Sequence, residues 1–248
     1  MFDKDGNRAV WESASLKHVM EYDDLLEQAR AERLIGAEGA VLTPVLAGGR
    51  VHVVHLQSGH GVDDHALLKA GARSVLGVDY STVAATAAQR RAADLRAACQ
   101  YIVASIPPVP LRSGCADVIY TGKGALIWIV DLAAWAAEVV RLLHPGGHLF
   151  VLESHPLVPL WSWDEDEVRL RQDRSYFMRS FVNDTFPAGG AVEQHRTLAE
   201  IVMTIEGAGL QILHLAEHPE PFWRPGSLDA AAWRGQLPNT FTLLARRG

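Results

Sequence analysis

The stretch Val51-His52-Val53-Val54-His55-Leu56-Gln57-Ser58-Gly59-His60-Gly61 decides the fold. Its first six residues are mostly apolar and rich in valine, the pattern of a short buried strand. A loop with two glycines follows, and Asp63-Asp64-His65-Ala66-Leu67-Leu68-Lys69-Ala70 then reads as a helix, with Gly71 placed to end it. Ser74-Val75-Leu76-Gly77-Val78-Asp79 reads as the next strand, so Asp79 falls ~20 residues beyond the loop. In open α/β sheets ligands bind outside the carboxyl ends of the strands. Glycines there let backbone approach a ligand, and an acidic residue ending the second strand is suited to ribose hydroxyls.

The alternation continues outward. Thr82 to Ala98 reads as a helix, Tyr101-Ile102-Val103 and Ala116-Asp117-Val118-Ile119-Tyr120 as strands, and Leu132 to Leu143 as a helix stopped by Pro145-Gly146-Gly147. His148 to Glu153 reads as a fifth strand, Leu198 to Gly207 as a helix, and two strands near 210–217 and 239–246 end the chain. Strands alternating with helices predict a mostly parallel sheet covered on both faces. Residues 11–47 look helical, with Gly48-Gly49 ending them, so 1–48 is expected to form an N-terminal helical cap. After Pro156 the rhythm breaks. Residues 157–190 hold Trp161, Trp163, Tyr176, Phe177, Phe181 and Phe186 among many charges, an aromatic insertion placed to act as a lid or to pack on itself.

Length and composition bound the rest. The 248 residues fit one large domain, with 48% hydrophobic and 21% charged residues. The net charge of −6, from 23 basic and 29 acidic residues, argues against a general nucleic-acid binder. Two cysteines, Cys99 and Cys115, make no disulfide framework, and a reducing cytoplasm is the expected setting. Neither a secretory signal nor a membrane span is expected from the apolar runs.

The loop runs Gln57-x-Gly59-x-Gly61 and lacks the third glycine of the dinucleotide fingerprint G-x-G-x-x-G, which speaks against a nicotinamide oxidoreductase. The stretch Val53 to Gly61 instead resembles the first motif of class I S-adenosylmethionine (SAM)-dependent methyltransferases. It is closest to a small-molecule subgroup whose motif reads L-H-L-Q-C-x-x-G. Gly77-Val78-Asp79-Tyr80-Ser81 is similar to that family's second motif, and Ala116 to Thr121 to its fourth-strand segment. Arg141-Leu142-Leu143-His144-Pro145-Gly146-Gly147-His148-Leu149 resembles the signature before strand five. Glu153-Ser154-His155-Pro156 and Glu193-Gln194-His195-Arg196-Thr197-Leu198 resemble two later subgroup segments.

The resemblance covers roughly residues 20–247, with the motifs in the family's order. It implies a single domain, a Rossmann-like α/β fold of seven strands with the last one antiparallel, and SAM as cofactor, leaving S-adenosylhomocysteine. It also implies positions for the cofactor. Gly59 and Gly61 would face its methionine part, beside His55 and Gln57, which the subgroup shares. Asp79 would hold the ribose, Tyr80 the adenine face, and Ser105-Ile106 the adenine edge. Thr121-Gly122-Lys123 would border methionine and substrate, and Tyr22 would close over the cofactor. The wider family carries an aspartate where Ser105 stands. A neutral acceptor makes the weaker hydrogen bond, which keeps a degenerate, non-transferring binding protein as an alternative.

Methyl transfer from a sulfonium needs mainly positioning, with a base only if the acceptor arrives protonated. His155, after strand five, and His195, after the insertion, are the candidate bases or substrate ligands. Glu153 is a candidate for a substrate cation or for orienting a histidine. Trp128, Trp161, Trp163 and Trp223 are candidates for lining a substrate pocket or for packing in the core. His52, His55, His60 and His65 lie on opposite strand faces, a loop and a helix, without a metal-ligand spacing, so no metal is expected. The expected function is methyl transfer to oxygen or nitrogen of a small molecule, possible in specialised metabolism. A SAM-assisted reaction without transfer is a further alternative, and a homodimer is left open.

Overall fold

The computed structural model describes residues 4–248 except 49, 188 and 225. Residues 1–3 of the expected cap, Gly49 at its end and Ala188 of the insertion thus lie outside the described residues. The cap comprises α1 (Lys4–Ala14), α2 (Lys17–Met20), α3 (Tyr22–Ala31) and α4 (Gly36–Leu46). The alternating body follows: β1 (His52–Leu56), α5 (Val62–Lys69), β2 (Ser74–Asp79), α6 (Thr82–Asp94), β3 (Cys99–Val103), β4 (Ala116–Gly122), α7 (Leu132–Leu142) and β5 (Leu143–Ser154). Then come β6 (Ser180–Val182), β7 (Val192–Gln194), α8 (Leu198–Gly207), β8 (Leu210–His218) and β9 (Thr240–Arg247).

Among the described residues, seven strands form one sheet in the order β3-β2-β1-β4-β5-β9-β8. β1, β2, β3, β4 and β5 pair in parallel, and β9 enters antiparallel between β5 and β8. This is the Rossmann-like α/β architecture expected from the sequence. The order reverses at β1, which lies between β2 and β4, and such a switch point opens a crevice at the strand ends.

Strand periodicity places the core. Val54 and Leu56 point to one face, where they pack with Ile119, Trp135, Leu149 and Ile201. Val53 points to the other, with Leu42, Leu46, Leu67, Tyr120 and Phe150. The helices begin where polar side chains cap them. Ser81 Oγ accepts from the Ala84 amide at 3.1 Å, and Asp131 Oδ1 from the Ala134 amide at 2.9 Å. Thr197 and Glu200 form a capping box at α8. Contrary to expectation, Pro145-Gly146-Gly147 does not separate helix from strand; it lies inside β5, which starts at Leu143. A Cβ at Gly147 would lie 3.0 and 3.1 Å from the His144 and Asp117 carbonyl oxygens, so a side chain there would crowd the strand.

Two connections elaborate the carboxyl edge of the sheet. The aromatic insertion contains β6, which pairs antiparallel with β7, so its hairpin extends past residue 190. Residues 219–239, between β8 and β9, form a second cover. No described helix is long and apolar enough to cross a membrane.

Candidate active site

A cavity of about 580 Å³ opens over the carboxyl ends of β1, β2, β4 and β5. Its volume lies in the ~300–1,000 Å³ range of small-molecule sites. At one end, the loop after β1 turns on three residues in the left-handed region: Gln57 (φ 60°), Gly59 (φ 51°) and Gly61 (φ 73°). The Gly59 amide donates to Asp79 Oδ2 at 2.9 Å, and the Ser81 amide to Asp79 Oδ1 at 2.8 Å. Burial raises the Asp79 carboxyl above its ordinary range, while these two amides pull it down. Gln57 Nε2 donates to the Ala125 carbonyl at 2.6 Å, and its Oε1 is buried without a partner among the described residues, as is Ser58 Oγ. Tyr80 lies in the same wall, its phenol pushed upward by burial and by Asp79.

His55 reaches this wall too. Its Nδ1 meets Asp64 Oδ1 at 2.6 Å, and its ring packs edge-on against Tyr120 at 4.7 Å. Gly122 and Lys123 close the floor. Lys123 Nζ pairs with Asp63 and lies 3.9 Å from Glu38. Those two carboxylates raise the Lys123 pKa against the effect of burial.

Much of the remaining lining is aromatic: Trp11, Trp128, Trp163, Phe181, Phe186, Phe222, Trp223 and Trp233. Trp11 packs edge-on with Trp128 at 5.4 Å and with Phe186 at 5.7 Å. His155 and His195 both line the cavity, in different states. His155 Nε2 meets Glu217 Oε1 at 2.7 Å, and its Nδ1 accepts from the Leu157 amide at 3.1 Å. With both ring nitrogens engaged it braces the turn after β5, so the structure does not support a base there. His195 Nε2 donates to the Tyr176 carbonyl at 3.1 Å. This fixes the tautomer that leaves Nδ1 as an acceptor, and burial lowers the ring's pKa, keeping it neutral.

Glu153 orients no histidine. One of its oxygens accepts from the Gly124 and Ala125 amides and the other from the Leu126 amide at 2.8 Å. It therefore anchors the loop that leads into the turn Leu126–Trp128. Burial pushes its carboxyl up to about 7, opposed by these amides.

Six expected residues stand away from the cavity lining. Tyr22 does not close over a ligand. Its hydroxyl donates to Asp94 at 2.7 Å, and the Arg90 and Arg91 guanidiniums lie 4.1 and 5.2 Å from its ring centre. It ties the cap to α6. Gly61 serves packing: a Cβ there would collide with the Tyr101 hydroxyl. Ser105 is exposed and Ile106 packs against the main core beyond β3. Thr121 is fully buried, its hydroxyl 3.4 Å from the Leu56 carbonyl. Trp161 packs with Trp163 and Trp233 in a satellite cluster under the insertion.

The lining also includes residues that sequence reasoning did not single out: Trp11, His18, His60, Asp63, Glu193 and Gln194. The His18 and His60 rings lie 4.5 Å apart, and burial together with this neighbour brings His18 down to about 3.

Residues 54–151 match the family model of the methyltransferase domain. That segment is similar to the methyltransferase domain, and the whole fold is similar to solved SAM-dependent methyltransferases. No curated protein sequence matches the chain. Among solved structures, a SAM-dependent methyltransferase from Mesorhizobium loti is 25% identical, with a TM-score of 0.65 over 86% of this chain and 99% of the other. A SAM-dependent methyltransferase from Methanosarcina mazei shares the fold at 17% identity, with a TM-score of 0.64 over 87% and 99% of the two chains. So does a geranyl diphosphate C-methyltransferase from Streptomyces coelicolor, at 18% identity and a TM-score of 0.59 over 86% and 79%. The methyltransferase domain spans the Gly59–Asp79 end of the cavity, whereas Trp11, Glu193, His195 and Trp233 come from outside it.

Proposed function

We propose that this protein transfers a methyl group from SAM to nitrogen or oxygen of a small molecule held at the aromatic end of the cavity. The carrying observation is the Gly59–Asp79 bond at the sheet's switch point, beside unpaired polar atoms of Gln57 and Ser58. A carboxylate has about four acceptor sites, so Asp79 keeps capacity for two ribose hydroxyls after taking two amides. The buried Gln57 Oε1 and Ser58 Oγ fit a ligand that supplies the missing hydrogen bonds. SAM, when bound, supplies a methyl group activated on a sulfonium. His55, Gln57, Gly59, Asp79, Tyr80, Gly122 and Lys123 would hold it.

The chain's own part is then to exclude water and orient the acceptor atom. The aromatic wall does the first, and His195 Nδ1 offers an acceptor for a substrate N–H or O–H. The net charge of −6 supports a small-molecule substrate in preference to nucleic acid, and we place the reaction in the cytoplasm.

Calorimetric titration with SAM and S-adenosylhomocysteine, with NAD as control, tests the reading. Micromolar binding that Asp79→Ala abolishes is expected. Absence of binding to the unaltered protein would overturn it in favour of a degenerate fold, for which Ser105→Asp is the next protein to make.

A further inference from the structure

We propose that Glu193 binds the ammonium group of an arylalkylamine substrate and takes its proton, which makes the transfer an amine N-methylation. This rests on the cofactor reading above and narrows its substrate class.

The observation is a carboxylate without a partner. Glu193 lies on β7 opposite Phe181, is only 9% exposed and lines the cavity. No hydrogen bond or ion pair reaches its side chain among the described residues. The neighbouring charges have partners of their own, although Arg174 keeps a buried, unpaired Nε and acts on Glu193 as a cation. Asp63 pairs with Lys123, Asp184 with Arg171 and Arg174, and Asp79 and Glu153 take backbone amides. Arg196 donates to the Ile129 and Val130 carbonyls. Glu193 is therefore the charged side chain of this wall with no hydrogen bond or ion pair among the described residues. A buried carboxylate is costly unless a cation or donor meets it.

The surroundings fit a cation carried on an aromatic group. Asn7 clasps Val192 by both amide functions: Nδ2 donates to its carbonyl at 2.9 Å, and Oδ1 accepts from its amide at 2.8 Å. Trp11 is one turn further along the same face of α1, so the clasp sets it beside β7. Trp128 and Phe186 flank Trp11, and Phe181 pairs with Glu193 across the hairpin. Aromatic faces attract ammonium groups; Arg174 and Lys17 already lie 4.4 and 5.5 Å from the ring centres of Phe181 and Phe186, which leaves Trp11 and Trp128 for a ligand.

The step balances. The ammonium gives one proton to a Glu193 oxygen, which frees the nitrogen lone pair. That pair forms the N–C bond to the methyl carbon while the C–S bond breaks and sulfur keeps its electrons. Burial, Asp184 and Glu153 push the Glu193 carboxyl up to about 7, with Arg174 opposing. A base near neutrality suits this transfer. His195, the neighbouring titratable group on the same segment, is neutral there.

The test uses the full chain saturated with S-adenosylhomocysteine. Calorimetry follows 2-phenylethylamine and tryptamine, with 2-phenylethanol and 3-phenylpropionate as uncharged and anionic controls. An amine is expected to bind at least tenfold tighter than the alcohol, and about tenfold tighter at pH 8 than at pH 6. Glu193→Gln should lose at least tenfold in amine affinity, Glu193→Asp should retain most of it, and both should bind S-adenosylhomocysteine unchanged. Failure of either amine to bind, equal binding to Glu193→Gln, or preference for phenylpropionate overturns the proposal. Loss of S-adenosylhomocysteine binding by the unaltered protein would instead strike the cofactor reading, and the amine titration is then read on the free protein.

Discussion

The Gly59 amide and the Asp79 carboxylate meet at 2.9 Å and tie the loop after β1 to the end of β2. One side chain thereby sets the loop's shape and presents the remaining carboxylate lone pairs to the cavity. Asp79→Asn keeps one acceptor but places an N–H against one of the two amides. Hydrogen bonds to charged groups contribute ~1.5–3 kcal/mol, so SAM affinity should fall by roughly 10- to 100-fold. Calorimetry on the variant checks this.

Glu153 gathers the amides of Gly124, Ala125 and Leu126. Glu153→Ala leaves these donors unpaired beneath the cavity floor. The expected loss is about 2–4 kcal/mol, or a fall in Tm of roughly 5–15 °C, measured by thermal unfolding. Glu153→Gln, which retains one acceptor oxygen, should lose less.

Glu193 gives stability a pH dependence of known sign. Its folded pKa of about 7 lies above the ordinary 4.5. Between these values the folded chain holds a proton that the unfolded chain has lost, so stability falls as pH rises through this window and levels off above about 7. The full penalty is at most ~3 kcal/mol. Glu193→Gln removes it, so the variant should be more stable than the unaltered protein by roughly 1–3 kcal/mol near pH 8.5 and about equal near pH 4.5. Urea unfolding at the two pH values measures the difference.

The two histidines should separate in kinetics. His155 has both nitrogens engaged by Glu217 and the Leu157 amide, so His155→Asn should lower Tm and leave KM within about threefold. His195 keeps Nδ1 free for a substrate hydrogen bond worth ~1 kcal/mol, so His195→Ala should raise KM roughly three- to tenfold. Steady-state kinetics on the methyl acceptor distinguishes them.

The fold was legible because its signals are local. Val53-Val54 alternate between faces, Asp79 ends a strand, and Gly71 stops a helix. That end of the cavity was legible for the same reason: His55, Gln57, Gly59 and Asp79 lie within one βαβ unit and all four line it. The rest depended on distant partners. Tyr22 looked free to close over a ligand until Asp94 and the two arginines of α6 claimed it. Gly61 resembled a ligand glycine, but Tyr101 on β3 explains it. Trp11 carries no signal of its own, because Asn7 reaches β7 across 185 residues of chain. Glu193 sits in one of the family-like segments, yet only the lack of a hydrogen bond or ion pair to its carboxylate among the described residues distinguishes it from any other strand acid.

That Asn7 clasp has a mechanical meaning. It fastens the first helix to the insertion hairpin through two hydrogen bonds to a single peptide segment. While it holds, the first helix and the hairpin are joined as one piece of the cavity wall. One asparagine on the first helix thus holds the backbone next to Glu193 in place.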